Sequence, residues 1–202
     1  MEISSIVLAG GRSLRLGHDK VFKPIGNRNL LDFVIDRVAP LSRETILVAA
    51  SKNALFQSGK YPGLKLVTDV YPDKGPLGGI YTGLLNSRSL LNLIVASDMP
   101  FLNPALLRYM MQVSTDFDLV VPRIGELVEP LHAVYTRGCL EPAEHLLRQN
   151  VLSVRRLFSM VRTKYVEADE IDRFDPDHLS FFNINTRADL SRAEEIARGM
   201  KP

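Results

Sequence analysis

The sequence predicts an α/β fold with a mostly parallel central sheet and crossover helices, on three observations. Short apolar runs alternate with stretches of helical period. A glycine pair, Gly10 and Gly11, follows the first apolar run, and Asn103-Pro104 marks a helix start, with proline where its missing N–H costs nothing. In order, strands are expected at Ile6 to Ala9, Thr45 to Ala50, Lys65 to Thr68 and Asn92 to Ser97. Leu30, Leu31, Val34, Ile35 and Val38 repeat at helical spacing behind Asn29 as N-cap, and Leu77 to Leu85 gives a second helix. The second half is less regular and reads as α+β decoration, with strands at Leu119 to Val121, His132 to Tyr135 and Lys164 to Val166. Thr186 and Asp189 form a capping-box pattern ahead of a last helix striped by Leu190, Ala193 and Ala197. Without repeats, low-complexity tracts or linkers, residues 1–202 read as one domain.

The 202 residues are 46% hydrophobic, enough for a good core. With 25 basic and 23 acidic residues and a net charge of +2, no charge block points to nucleic acid. A single cysteine, Cys139, excludes an internal disulfide framework. No basic leader or long apolar span is present, so the expectation is a soluble cytoplasmic protein that does not enter a membrane.

Residues 8 to 20 carry the strongest chemical signal. Gly10 and Gly11 let the backbone turn sharply and bring N–H groups against an anion, while Arg12, Arg15 and Lys20 surround the same space with cations. A Walker loop is rejected because Gly17 is followed by His18, and a dinucleotide fingerprint because Gly10 and Gly11 are adjacent. The alternative is a surface hairpin with incidental basic residues.

Ligands of open parallel sheets sit beyond the carboxyl ends of the strands. Three features fall there: the glycine loop, Asp69 and Asp98. The expectation is that both carboxylates face one cationic loop. Asp98, ahead of Pro100, suits Mg²⁺, which takes one or two protein carboxylates and completes its shell with water and phosphate. It equally suits the capping of a turn. Asp69 opens a segment with Gly75, Gly78 and Gly79 that can approach a flat base or form an ordinary turn. Asn183 and Asn185 point the same way on an extended segment, where each amide can both donate and accept, toward a bound molecule or toward loop backbone. The four histidines lack paired metal spacing, and His132 suits a hydrogen-bonded core position. Asp169 to Asp177 reads as a solvated acidic loop, and Met110 and Met111 as core filler.

The strand, Leu8-Ala9-Gly10-Gly11, Arg15 and Lys20 resemble the glycine loop of Rossmann-like nucleotidyltransferases. With Gly75-Pro76-Leu77-Gly78-Gly79, Asp98-Met99-Pro100, Glu129 to Tyr135 and Phe182 to Thr186, the chain resembles the molybdenum cofactor guanylyltransferases, the MobA family, over nearly its whole length. The resemblance implies a three-layer fold in which GMP passes from GTP to molybdenum-loaded molybdopterin and pyrophosphate leaves. It implies nucleotide contacts from Leu8, Ala9, Gly10, Gly11, Lys20, Asp69, Gly78 and Asp98, and Mg²⁺ on Asp98. Arg15, Lys20 and Asp98 would be catalytic, with Asn183, Asn185 and His132 toward the acceptor. Proteins of cofactor biosynthesis and acceptor apoenzymes are implied partners. Phe22-Lys23, Asn27-Arg28-Asn29 and Ala49-Ala50-Ser51 depart from the family's usual form, which leaves the base contact at the second strand end open. The alternatives are a relative using CTP, a sugar phosphate or another phosphorylated acceptor, and a GTP-binding protein without chemistry.

Overall fold

The computed structural model describes residues 2–9, 24–26, 28–49, 61 and 63–199. The central sheet runs in the order β10-β7-β9-β6-β1-β4-β5. Its strands are β1 (Ile3–Ala9), β4 (Glu44–Ala49), β5 (Leu64–Thr68), β6 (Leu91–Ala96), β7 (Leu119–Ile124), β9 (His132–Thr136) and β10 (Thr163–Val166). Along this path only β9 runs against the rest, pairing antiparallel with β6 and β7. A short β8 (Leu127–Val128) hairpins onto β7, and β2 (Pro24–Ile25) pairs with β3 (Arg28–Asn29) apart from the sheet.

Central strands buried on both faces need apolar residues at successive positions, and β1 supplies them. Ile6 and Leu8 join the core on one face and Val7 the core on the other, as do Ile46 and Val48 against Leu47 in β4. On the first face lie α2 (Gly75–Asn86), α4 (Leu140–Arg148) and α5 (Val154–Phe158); on the second lie α1 (Leu30–Val38), α3 (Pro104–Gln112) and α6 (Ala168–Asp172). A smaller cluster, with Ile25, Leu30, Ile184 and Ala193, seats α7 (Arg187–Gly199). The result is the three-layer α/β arrangement expected.

The helix starts follow the local chemistry. Asn29 forms a reciprocal capping box with Asp32, and the Asn103 side chain accepts from the N–H groups of Ala105 and Leu106 at 2.9 and 3.2 Å. Thr186 and Asp189 cap each other, at 2.7 and 3.1 Å. Helix α2 begins at Gly75 rather than Leu77 and lies flush on β1. A Cβ at Gly83 would clash with the Ile6 side chain, and one at Gly79 would stand 3.3 Å from Leu8.

The second half differs from its reading as decoration. Strands β7, β9 and β10 complete the main sheet, and α4, α5 and α6 had no expected counterpart. The fourth helix spans only nine positions, a window too short for its period to stand out beside the flanking turns.

Candidate active site

Strands β1, β4, β5 and β6 are parallel, so their carboxyl ends share one edge. Ala9 pairs with Ala49 and Ala49 with Thr68, and Leu8 pairs with Ala96. Pairing continues one residue further on each side, with Asp69 N–H donating to the Ala49 carbonyl at 2.8 Å and Ser97 N–H to the Leu8 carbonyl at 3.1 Å. The edge therefore carries Ala9, Asp69 and Asp98 as expected.

It does not bring the two carboxylates together. Strand β5 and strand β6 are separated by β4 and β1, so Asp69 and Asp98 stand three inter-strand steps apart, about 14 Å. The expected convergence of the two acids is corrected to that extent, because strand order was not visible in the strand list; the cationic loop that both were expected to face lies outside the described residues. Asp69 is also engaged locally. Its Oδ1 accepts from Thr82 Oγ1 at 2.7 Å and from Tyr71 N–H at 3.0 Å, and Thr82 Oγ1 accepts from Val70 N–H at 3.1 Å. This network pins the loop after β5 to α2. Gly78 lets that loop close, since a Cβ there would sit 2.7 Å from the Tyr71 carbonyl. The Leu8 side chain is buried under Gly79, so only its backbone can meet a ligand.

Asp98 has closer company on its other side. Ala96 N–H donates to the Leu131 carbonyl at 2.9 Å, and Val95 pairs with His132. Beyond that pairing the chain turns, with His132 N–H on the Glu129 carbonyl at 3.3 Å, and Glu129 comes within electrostatic range of Asp98. Burial pushes the Glu129 carboxyl upward; the Leu131 N–H on its Oε1, at 3.2 Å, opposes this, and the Asp98 charge adds to it. Glu129 is the residue that sequence reasoning passed over, although it opened a quoted motif. A carboxylate immediately before a proline, three residues ahead of a strand, was the available signal.

The segment before α7 closes over the same edge. Ile184 N–H donates to the Asp98 carbonyl at 3.0 Å, which places Asn183 and Asn185 on either side of that anchor. His132 is brought to this face but is fully buried, its ring 4.9 Å from that of Phe181. Neither ring nitrogen has a hydrogen-bond partner among the described residues, and burial lowers its pKa to about 3. It sits as a neutral core histidine packed against Phe181, the core position being one of the two expectations.

Gly10, Gly11, Arg12, Arg15, His18 and Lys20 lie outside the described residues. Among the described residues no group of three or more His, Cys, Asp or Glu could hold a metal ion, and no helix is long and apolar enough to cross a membrane. A hard cation that takes one or two protein carboxylates would fit Asp98, with the Glu129 carboxyl within electrostatic range of it.

Among the described residues the edge thus carries Ala9 at the end of β1, with Asp69 on one side and Asp98 on the other. The family model of the MobA-like NTP transferase domain matches residues 5–167. A protein of Pelotomaculum thermopropionicum named as a probable molybdenum cofactor guanylyltransferase is 34% identical, over 100% of this chain and 96% of its own. The molybdenum cofactor guanylyltransferase of Desulfosudis oleivorans is 34% identical, covering 95% of this chain and 94% of its own. The solved structure of molybdopterin-guanine dinucleotide biosynthesis protein A from Archaeoglobus fulgidus superposes with a TM-score of 0.85 at 28% identity, covering 98% of this chain and all of that one.

Proposed function

The chain belongs to the MobA-like NTP transferase family, and from that premise we propose that it transfers GMP from GTP to molybdenum-loaded molybdopterin, releasing pyrophosphate. The observation that carries this reading is the convergence at one sheet edge of Asp98, Glu129 and the Asn183 to Asn185 segment, beside the end of β1 where the glycine loop begins.

The reacting group is the terminal phosphate of the acceptor. Its second pKa is about 6, so it is largely dianionic near neutrality and needs no strong base. One of its oxygens bonds to the α-phosphorus of GTP while the bond from that phosphorus to the bridging oxygen of pyrophosphate breaks. The difficulty is that one anion must approach another, so the chain has to align and neutralise. Arg15 and Lys20 would stabilise charge on the departing pyrophosphate. The backbone of Leu8, Ala9, Gly10 and Gly11 would cradle the nucleotide phosphates, and the loop held by Asp69 and Gly78 would face the base. Asn183 and Asn185, which can both donate and accept, would orient the acceptor beside Asp98. Asp98 would hold Mg²⁺, which when bound would supply positive charge against the substrate phosphates. Such a reaction belongs in the cytoplasm, with cofactor-biosynthesis proteins and acceptor apoenzymes as partners.

The test is pyrophosphate release from purified protein given Mg²⁺, molybdenum-loaded molybdopterin and each nucleoside triphosphate in turn. Release with GTP alone is expected. Release with CTP, or with a sugar phosphate as acceptor, would overturn the assignment.

A further inference from the structure

A second cleft lies along the same edge, beyond Asp98 and away from the glycine loop. Strands β7 and β10 run in the direction of β6, so their carboxyl ends fall on its side of the molecule, two and three inter-strand steps away, about 10 and 14 Å. A cavity of about 540 Å³ opens there, lined by Arg123, Glu126, Arg155, Tyr165 and Glu167 among others. That is an ordinary size for a small-molecule site. It neighbours the active edge along the chain: Val128 lines it, and the next residue, Glu129, lies within electrostatic range of Asp98.

Its chemistry is specific. The Arg123 guanidinium lies over the Tyr165 ring, 4.3 Å from the centroid, and its Nε donates to Glu167 Oε2 at 3.0 Å while a second nitrogen donates to Oε1. Ring and carboxylate hold the guanidinium flat, and a flat guanidinium stacks well against a planar heterocycle. Gly125, with φ of +58°, makes the tight β7–β8 turn that carries Glu126 to the rim, where Arg155 donates to the Glu126 carbonyl at 3.3 Å. The lining carries two guanidinium groups and two carboxylates, of which Arg123 and Glu167 are paired. That balance does not suit a polyphosphate, but it suits a ring system that both donates and accepts. A 2-amino-4-oxo pyrimidine ring presents adjacent N–H donors on one edge, which a carboxylate can accept, and a carbonyl, which an arginine can satisfy.

We propose that this cleft is the subsite for the pterin ring of the acceptor, stacked on Arg123 and read along its edge by Glu126 and Arg155. The assignment rests on the guanylyltransfer reading above and extends it. With the nucleotide on the β1, β4 and β5 side, an acceptor whose phosphate lies at Asp98 has its rings directed the other way. A pterin joined to its phosphate is about 10 Å long by ordinary bond lengths, the span from β6 to β7.

The test uses 6-hydroxymethylpterin phosphate as a fluorescent probe, with binding followed by anisotropy on the full chain. Arg123→Ala and Tyr165→Ala are expected to weaken probe binding about tenfold and to raise the acceptor KM by a similar factor. The GTP KM is expected to stay within about twofold, since the cleft is remote from the nucleotide side. Glu126→Ala alters an exposed residue, so it decides the matter if a core-facing variant unfolds; it too is expected to weaken the probe. Unchanged probe binding in folded variants would overturn the proposal. Absence of any acceptor turnover by the wild-type chain would overturn the guanylyltransfer reading instead, while probe binding would still decide the cleft.

Discussion

The backbone N–H of Ile184 donates to the carbonyl of Asp98 at 3.0 Å, fastening the segment before α7 to the turn after β6. Residues 86 apart in sequence thereby share one edge, and the fastening uses only backbone atoms. The side chains of Asp98, Asn183 and Asn185 can therefore be changed without cutting it.

The first expectation concerns Asp98 itself. Asp98→Asn keeps the backbone anchor and the shape but removes the charge that would hold Mg²⁺. Turnover should fall by about a hundredfold or more, as when a single electrostatic group is taken from a transition state. Thermal unfolding should move little, and pyrophosphate release set against a melting curve separates the two effects.

At Gly83 the outcome is structural. The methyl group of Gly83→Ala would meet the Ile6 side chain, forcing α2 off β1. A cost of about 1–3 kcal/mol is expected, as for other overpacked cores. Gly79→Ala, with a 3.3 Å approach to the flexible end of Leu8, should cost less; denaturant unfolding ranks them.

Thr82→Val tests the loop after β5. Thr82 is fully buried, so valine would leave Val70 N–H and Asp69 Oδ1 without that hydroxyl. A loss of about 1–2 kcal/mol is expected from the broken network. The GTP KM should rise with it, while the acceptor KM holds.

His132 governs a pH effect. Burial lowers its pKa from 6.5 to about 3, so in this window the unfolded chain binds a proton that the folded one refuses. Folding stability should be full above pH 6.5 and should fall as the pH drops from there toward 3, by on the order of 1 kcal/mol per unit. His132→Leu should flatten the slope above about pH 5, where most carboxylates remain ionised and do not confuse the measurement. An unchanged slope in that variant would contradict a buried neutral imidazole.

Much of the architecture could be read from local pattern. The apolar runs of β1, β4, β5 and β6, the caps at Asn29 and Asn103, and the Thr186 and Asp189 box each depend on neighbours a few residues away, and each formed where expected. The strand ends bearing Asp69 and Asp98 were legible for the same reason.

Strand order and direction are settled by pairings between distant segments, which no local spacing encodes. Only the assembled sheet set Asp69 and Asp98 three strands apart, turned β9 against its neighbours so that Glu129 came beside Asp98, and buried His132 under Phe181. The sequence by itself determined which chemical groups stand at strand ends, because period and capping act over a turn or two. Which of those groups meet was decided by long-range hydrogen-bond register and by the packing of two helical layers onto the sheet.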